Sequence, residues 1–239
     1  MKITRSVFML SGSAYSAVNN SDMMGEVYGI YTSQGIVLID CGKERSGLDT
    51  LRETLTHFNV DVPITHCILT HAHHDHCGNA KQLQMEGAVI IVGKEDESYC
   101  IRGGVWGLNS PFENEQGYRP FTPDVLIERD QIVEINGLPF EFIKVPGHTP
   151  GSMAVRIEID EKTILFTGDM LQLDGIFLNS VNFGWMGDPL FNRDELVKSM
   201  IKLMKYTADI ILPGHGRICL RNGTNLLLHA AKKAYTSMR

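Results

Sequence analysis

The sequence predicts an α/β fold, and three observations carry that reading. Short apolar runs of strand length alternate with helix-compatible stretches through the first half of the 239 residues. From Val125 onward the pattern turns β-rich, with an Asn136-Gly137 step between apolar runs that signals a tight hairpin. Several of these runs end in a polar, metal-binding type of residue beside a glycine.

Taken in order, residues 3–10 and 26–40 read as strands. Glu26 to Tyr31 and Gly35 to Ile39 are joined by a Thr-Ser-Gln-Gly turn, and the second run ends in Asp40. A helix fits Leu48 to Phe58, because Leu48, Leu51, Leu55 and Phe58 share one face. Pro63 separates it from the strand that leads into Thr70–Gly78, which reads T-H-A-H-H-D-H-C-G. Four imidazoles (His71, His73, His74, His76) and Asp75 fall within six residues there, and burying them uncompensated would be costly. Alternation lets His71 and His73 point one way while the following residues turn towards a neighbouring point, so one loop can feed two adjacent cations. A helix over Asn79 to Glu86 and a buried strand over Ala88 to Val92 follow.

Residues 101–123 and 170–192 are irregular and carry aromatic side chains, and both read as lids. Trp106, Tyr118, Phe183 and Trp185 are the expected wall of an apolar substrate pocket. Between the lids, strands over 131–135, 139–145, 153–159 and 163–166 deliver His148 in P-G-H-T-P-G-S and Asp169 in T-G-D. A helix over 193–205, a strand over 209–212, the P-G-H-G motif with His215 and a helix near 224–238 complete the chain. His57, His66 and His229 fit helix faces or strand ends and read as structural or solvated.

Composition narrows the function classes. Apolar residues make up 43% and charged residues 21%, an ordinary balance for a soluble globular domain, and the reading is one domain over 1–239. A net charge of −6 offers no basic face for nucleic acid. Five cysteines (Cys41, Cys67, Cys77, Cys100, Cys219) are an odd number without framework spacing, which points to a reducing compartment. The apolar run Val7–Leu10 is too short for a signal peptide and no run reaches membrane-spanning length, so the expectation is cytoplasmic. The expected partner is a small-molecule substrate, with neither nucleic acid nor membrane, and a homodimer is compatible with the sequence.

Asp40, the 71–76 cluster, His148, Asp169 and His215 all follow apolar strands beside glycine, and strand tips on one sheet edge lie close together. In their order and spacing, LIDCG (38–42), THAHHDH (70–76), PGHTPGS (146–152), TGD (167–169) and PGHG (213–216) resemble the metallo-β-lactamase fold superfamily of hydrolases. The resemblance implies an αββα sandwich, two mixed sheets packed face to face with helices outside. It also implies that His71, His73 and His148 bind one metal, that Asp75, His76 and His215 bind a second, and that Asp169 bridges both. Asp40 matches a position that orients a ligand from behind, and His74 falls at a variable, non-ligating one.

The metal site is similar to that of glyoxalase II enzymes. Only about two dozen residues follow His215, so their glutathione-binding C-terminal region is expected to be absent or minimal. The implied reaction is hydrolysis of an ester, thioester or lactone. Two divalent ions, zinc first with iron or manganese as alternatives, would sit about 3.5–4 Å apart and yield a bridging hydroxide at neutral pH. Asp75 would shuttle the proton. An intact bridging Asp169 is unlike the true zinc β-lactamases, and Met170-Leu171-Gln172 lacks the tyrosine that lactonases carry after that acid. A mononuclear iron-dependent sulfur oxidoreductase resembling the persulfide dioxygenases, and a β-lactam or phosphodiester hydrolase, are the alternatives.

Overall fold

Apolar residues on both faces of most strands decide the layering. In a computed structural model, which describes residues 1–11, 25–43, 47–103, 118–173 and 181–238, the strands form two principal sheets. The first holds β1 (Val7–Ser11), β2 (Val27–Thr32), β3 (Gly35–Ile39), β4 (Ile64–Ile68), β5 (Val89–Gly93) and β6 (Val125–Ile127), in that spatial order. Its first three strands pair antiparallel and its last four parallel. The second holds β7 (Gln131–Ile135), β8 (Leu138–Lys144), β9 (Met153–Ile159) and β10 (Lys162–Gly168) in an antiparallel meander. After a small ribbon of β11 (Gln172–Leu173) and β12 (Val181–Asn182), β13 (Ile210–Pro213) adds to β10 in parallel.

Between the sheets lies one apolar layer. Val37 and Ile39 of β3, Phe140 and Phe142 of β8, and Ile164 and Phe166 of β10 all point into it. The alternate residues point outward. Ile36 and Leu38 meet α1 (Gly47–His57), while α2 (His74–Cys77), α3 (Ala80–Met85) and α4 (Glu97–Arg102) add Cys77, Ala80, Leu83 and Cys100. On the other side, Ile143, Leu165 and Ile211 meet α5 (Arg193–Leu203) and α6 (Gly223–Ser237) through Leu196, Met200, Leu227 and Ala231. The result is the expected αββα sandwich, with strands buried on both faces as sheets between helices must be.

The N-terminal strand is shorter than the sequence suggests. Residues ahead of Val7 bend instead, because the Asp160 carboxylate captures them: Thr4 Oγ1 donates to it at 2.8 Å and the Ser6 N–H at 2.6 Å. The 101–123 stretch is part helix, since α4 runs to Arg102 and stops at Gly103, whose φ of 71° ends it in a left-handed cap. The remainder of that stretch from 104 to 117, with Trp106, lies outside the described residues. Among the described residues, no helix is long and apolar enough to cross a membrane.

The inter-sheet layer should dominate stability. Phe140→Ala removes a fully buried ring from it and should cost about 3–5 kcal/mol. Denaturant unfolding should show the midpoint falling at unchanged slope, with the metal content of the folded fraction retained.

Candidate metal centre

Five strand tips converge at one edge of the sandwich. Asp40 follows β3, the 71–76 loop follows β4, His148 sits in the turn from β8 to β9, Asp169 follows β10, and His215 follows β13. Backbone hydrogen bonds lock the tips across the seam between the sheets: the Met153 N–H donates to Thr70 O at 2.8 Å, and the Glu26 N–H to Gly214 O at 2.7 Å. Two glycines are needed for the fit. Gly168 adopts φ of 50°, and a Cβ at Gly214 would lie 2.2 Å from Asp169 Oδ1.

The donors form two overlapping groups. The ligand atoms of His71, His73 and His148 lie within 4.8 Å of one another, as do those of Asp75, His76 and His215; a third set, His71, His76 and Asp169, joins them. His73 Nδ1 faces His148 Nε2 at 2.9 Å. His76 Nε2 lies 3.2 Å from His215 Nε2 and 3.4 Å from Asp75 Oδ2, which is itself 3.0 Å from His215 Nε2. Asp169 reaches both groups, with Oδ1 3.5 Å from His76 and Oδ2 3.5 Å from both His148 and His215. Among the described residues, His71 Nε2 and Asp169 Oδ1 are buried without a hydrogen-bond partner. Leaving such atoms unpaired costs about 1–3 kcal/mol each, whereas a divalent cation satisfies both. The residues therefore fit divalent metal, with imidazole nitrogen and carboxylate oxygen as donors. His74 is half-buried, and its Nδ1 approaches Asp75 only to 3.9 Å.

Outer carboxylates aim the rings. Asp40 accepts from the Thr70 N–H at 2.7 Å, from Thr70 Oγ1 at 2.8 Å and from His76 Nδ1 at 2.8 Å. Thr70 Oγ1, having donated to Asp40, accepts from His71 Nδ1 at 3.0 Å. Both rings are thereby left with Nε2 as the free donor, the support that metal-binding histidines usually require.

Two further acids escaped the sequence reading. Asp96 accepts from the Ala72 N–H (2.9 Å), the Gly151 N–H (2.7 Å) and Thr149 Oγ1 (2.7 Å), stitching the His71–His76 loop to the His148 turn. It lies shortly after β5 and its closing glycine, so the strand-tip criterion that singled out Asp40 reaches it too. Asp188 accepts from His73 Nε2 at 2.8 Å. Its only sequence signal is an acid between Gly187 and Pro189 in an aromatic loop.

The charges sort the imidazoles. Burial, followed by the neighbouring His76 and His73, pushes His71 well below the usual histidine range; burial and His73 bring His148 down to about 3. Burial would also lower His76 and His215. Instead the carboxylates of Asp75, Asp169 and Asp40 lift His76 well above the ordinary value, and Asp169 with Asp75 lifts His215. Against burial, which would raise them, Asp75 is held down by His76 and His215, and Asp169 by His215, His76 and His148.

The expected pocket residues divide. Trp185 is 38% exposed and stands edge-on to His73 at 6.3 Å between ring centroids. Tyr118 belongs to the core instead: it is 4% exposed, packs with Phe121, and its hydroxyl donates to Ala72 O at 3.2 Å. Phe183, 8% exposed, packs into the core beneath α5 and α6. Both rings gain more by burial there than at a wet rim. Away from the site, His57 and His229 are exposed, and half-buried His66 shares a hydrogen bond with Thr65.

Fold and site together define an αββα protein with a His/Asp cage for divalent cations. A family profile described as the metallo-beta-lactamase superfamily matches residues 23–215, and the chain belongs to that superfamily. It is 32% identical over 191 residues to the hydroxyacylglutathione hydrolase GloC of Haemophilus influenzae, over 75% of this chain and 79% of that one. With the hydroxyacylglutathione hydrolase of Pseudomonas syringae it shares 27% identity over 140 residues, covering 59% of this chain and 44% of the relative. Among solved structures, a β-lactamase from Chitinophaga pinensis matches with a TM-score of 0.75 at 15% identity, over all of this chain and 91% of that one. This last likeness is one of fold alone. Superfamily membership and the donor set support a metal-dependent hydrolase.

Two outcomes are expected here. Asp40→Asn keeps a residue that tolerates Asp40's left-handed backbone but supplies an amide where a carboxylate stood, and should weaken metal affinity about 10–100-fold by competition with a chelator. In metal-free protein, His148 has its pKa lowered and so stays neutral; its ring resonances should remain flat between about pH 8 and pH 5, where an ordinary histidine titrates.

Proposed function

We propose that the chain is a binuclear metal-dependent hydrolase of small-molecule acyl thioesters, within the wider class of esters, thioesters and lactones. The observation that carries the binuclear reading is Asp169, whose Oδ2 lies 3.5 Å from His148 of the first group and from His215 of the second, while its buried Oδ1 lies 3.5 Å from His76 and has no hydrogen-bond partner among the described residues. His71, His73 and His148 would hold the first cation, Asp75, His76 and His215 the second, and Asp169 would touch both. Zinc suits this nitrogen and oxygen set, with iron or manganese compatible. Such a pair supplies hydroxide at neutral pH and polarises a carbonyl oxygen. The thioester preference rests on the hydroxyacylglutathione hydrolases among the relatives.

The chain's own groups do the rest. Asp169 stays ionised because the surrounding imidazoles favour its charge. Asp75 turns Oδ2 towards His76 and His215, leaving Oδ1 as the acceptor for the proton given up by the nucleophile. From there it would pass that proton to the departing thiolate. Trp185, exposed beside His73, supplies an apolar wall against which the acyl or thiol portion of the substrate can lie.

The test combines metal analysis with a panel of thioesters, esters, lactones and phosphodiesters. The wild-type protein should carry two metals per chain and turn over thioesters fastest, and chelation should abolish activity until metal is restored. Asp169→Ala should lose metal and cut turnover by more than the ~10–100-fold that removing an outer hydrogen-bond partner costs. Wild-type turnover from a metal-poor Asp169→Ala protein would refute the binuclear scheme, and preference for phosphodiesters would refute the substrate class.

A further inference from the structure

Between β12 and α5, the chain from Gly184 to Asn192 is fastened at three points around the donors. The Gly184 N–H donates to Asp169 O at 3.0 Å, His73 Nε2 to Asp188 Oδ2 at 2.8 Å, and the Asn192 N–H to Gly147 O at 2.8 Å, next to His148. Asp188 is the middle fastening, and its side chain is fully buried. Its second oxygen accepts from the Leu190 N–H at 2.6 Å and its carbonyl from the Phe191 N–H at 3.0 Å, so the carboxylate has one orientation.

We propose that Asp188 is a positioning residue for the first cation. It holds His73 as the Nε2–H tautomer, so that the lone pair of Nδ1 points at the space shared with His71 and His148. An imidazole whose outer N–H is given to a carboxylate is a more basic and better oriented ligand. His71 receives comparable support only indirectly, through Thr70 from Asp40, and His148 Nδ1 has no hydrogen-bond partner among the described residues. Direct carboxylate support within the first group therefore rests on Asp188. The same segment presents Trp185 beside His73, so the substrate wall is held in register with the ligand. The proposal deepens the binuclear reading and rests on it.

The substitution that isolates the effect is Asp188→Asn. It keeps the shape and the bond from Leu190, but places an NH2 group where His73 Nε2–H needs an acceptor. Metal-free wild type and variant are titrated with Co2+, followed by absorption and by chelator competition. The wild type should take up two equivalents. In the variant, one equivalent should weaken about 10–100-fold, while the other, held by Asp75, His76 and His215, keeps its affinity. Proton spectra of the Co2+-loaded wild type should show a slowly exchanging imidazole N–H from His73, lost in the variant. Long-range proton–nitrogen correlation on the metal-free wild type assigns the His73 tautomer without any substitution: Nε2–H supports the proposal and Nδ1–H overturns it. An Asp188→Asn protein that binds both equivalents with wild-type affinity also overturns it, leaving the binuclear reading intact. A wild-type protein that takes up no Co2+ overturns both.

Discussion

The Asp40 carboxylate is the interaction on which the site depends. Its residue takes φ of 59°, a left-handed conformation that costs a non-glycine residue roughly 1–3 kcal/mol, less for Asp than for most. That turn swings the side chain off the tip of β3 and beneath the loop after β4, where it accepts three hydrogen bonds. Bonds to a charged acceptor contribute about 1.5–3 kcal/mol each, so the bonds outweigh the strain. His76 is aimed directly and His71 through Thr70, so a single buried charge sets the direction of one ring in each donor group.

Electrostatically the two groups are unlike. The first is a set of crowded imidazoles, two of which, His71 and His148, are driven neutral by burial and by one another. The second is rich in carboxylate, and His76 and His215 are pulled towards their charged forms. Neutral lone pairs and ionised oxygens are the forms that ligate divalent cations: the first group holds neutral rings ready, whereas in the second the carboxylates are ready and a cation would displace the protons of His76 and His215. Asp169 stands between them and belongs to both.

Much of this was legible in the sequence because strand tips carry a simple signature, an apolar run followed by glycine and a donor. His148, Asp169 and His215 are far apart along the chain, yet each bears that mark. Asp188 does not: it meets His73 across 115 residues from an irregular loop, and no periodicity records such a contact. Tyr118 and Phe183 lie in the core rather than at the expected pocket wall for the converse reason. Aromatic residues in loops look like pocket walls, but a large ring close to a core packs into it, and of the three described rings Trp185 alone stays exposed beside the donors. The opening strand shortened because Asp160, on the distant β9–β10 turn, captures the backbone and side chains of residues 4 to 6, a tertiary effect that local pattern cannot carry.

The cage draws its donors from both layers. His71, His73, Asp75 and His76 hang from the first sheet, whereas His148, Asp169 and His215 hang from the second. Cations seated there would act as rivets between two slabs whose remaining adhesion is largely oily contact. Anything that binds only the assembled form raises its resistance to unfolding by mass action. The chain's durability would then follow the availability of cation in its surroundings, and starvation for metal would loosen the sandwich along the seam that the donors span.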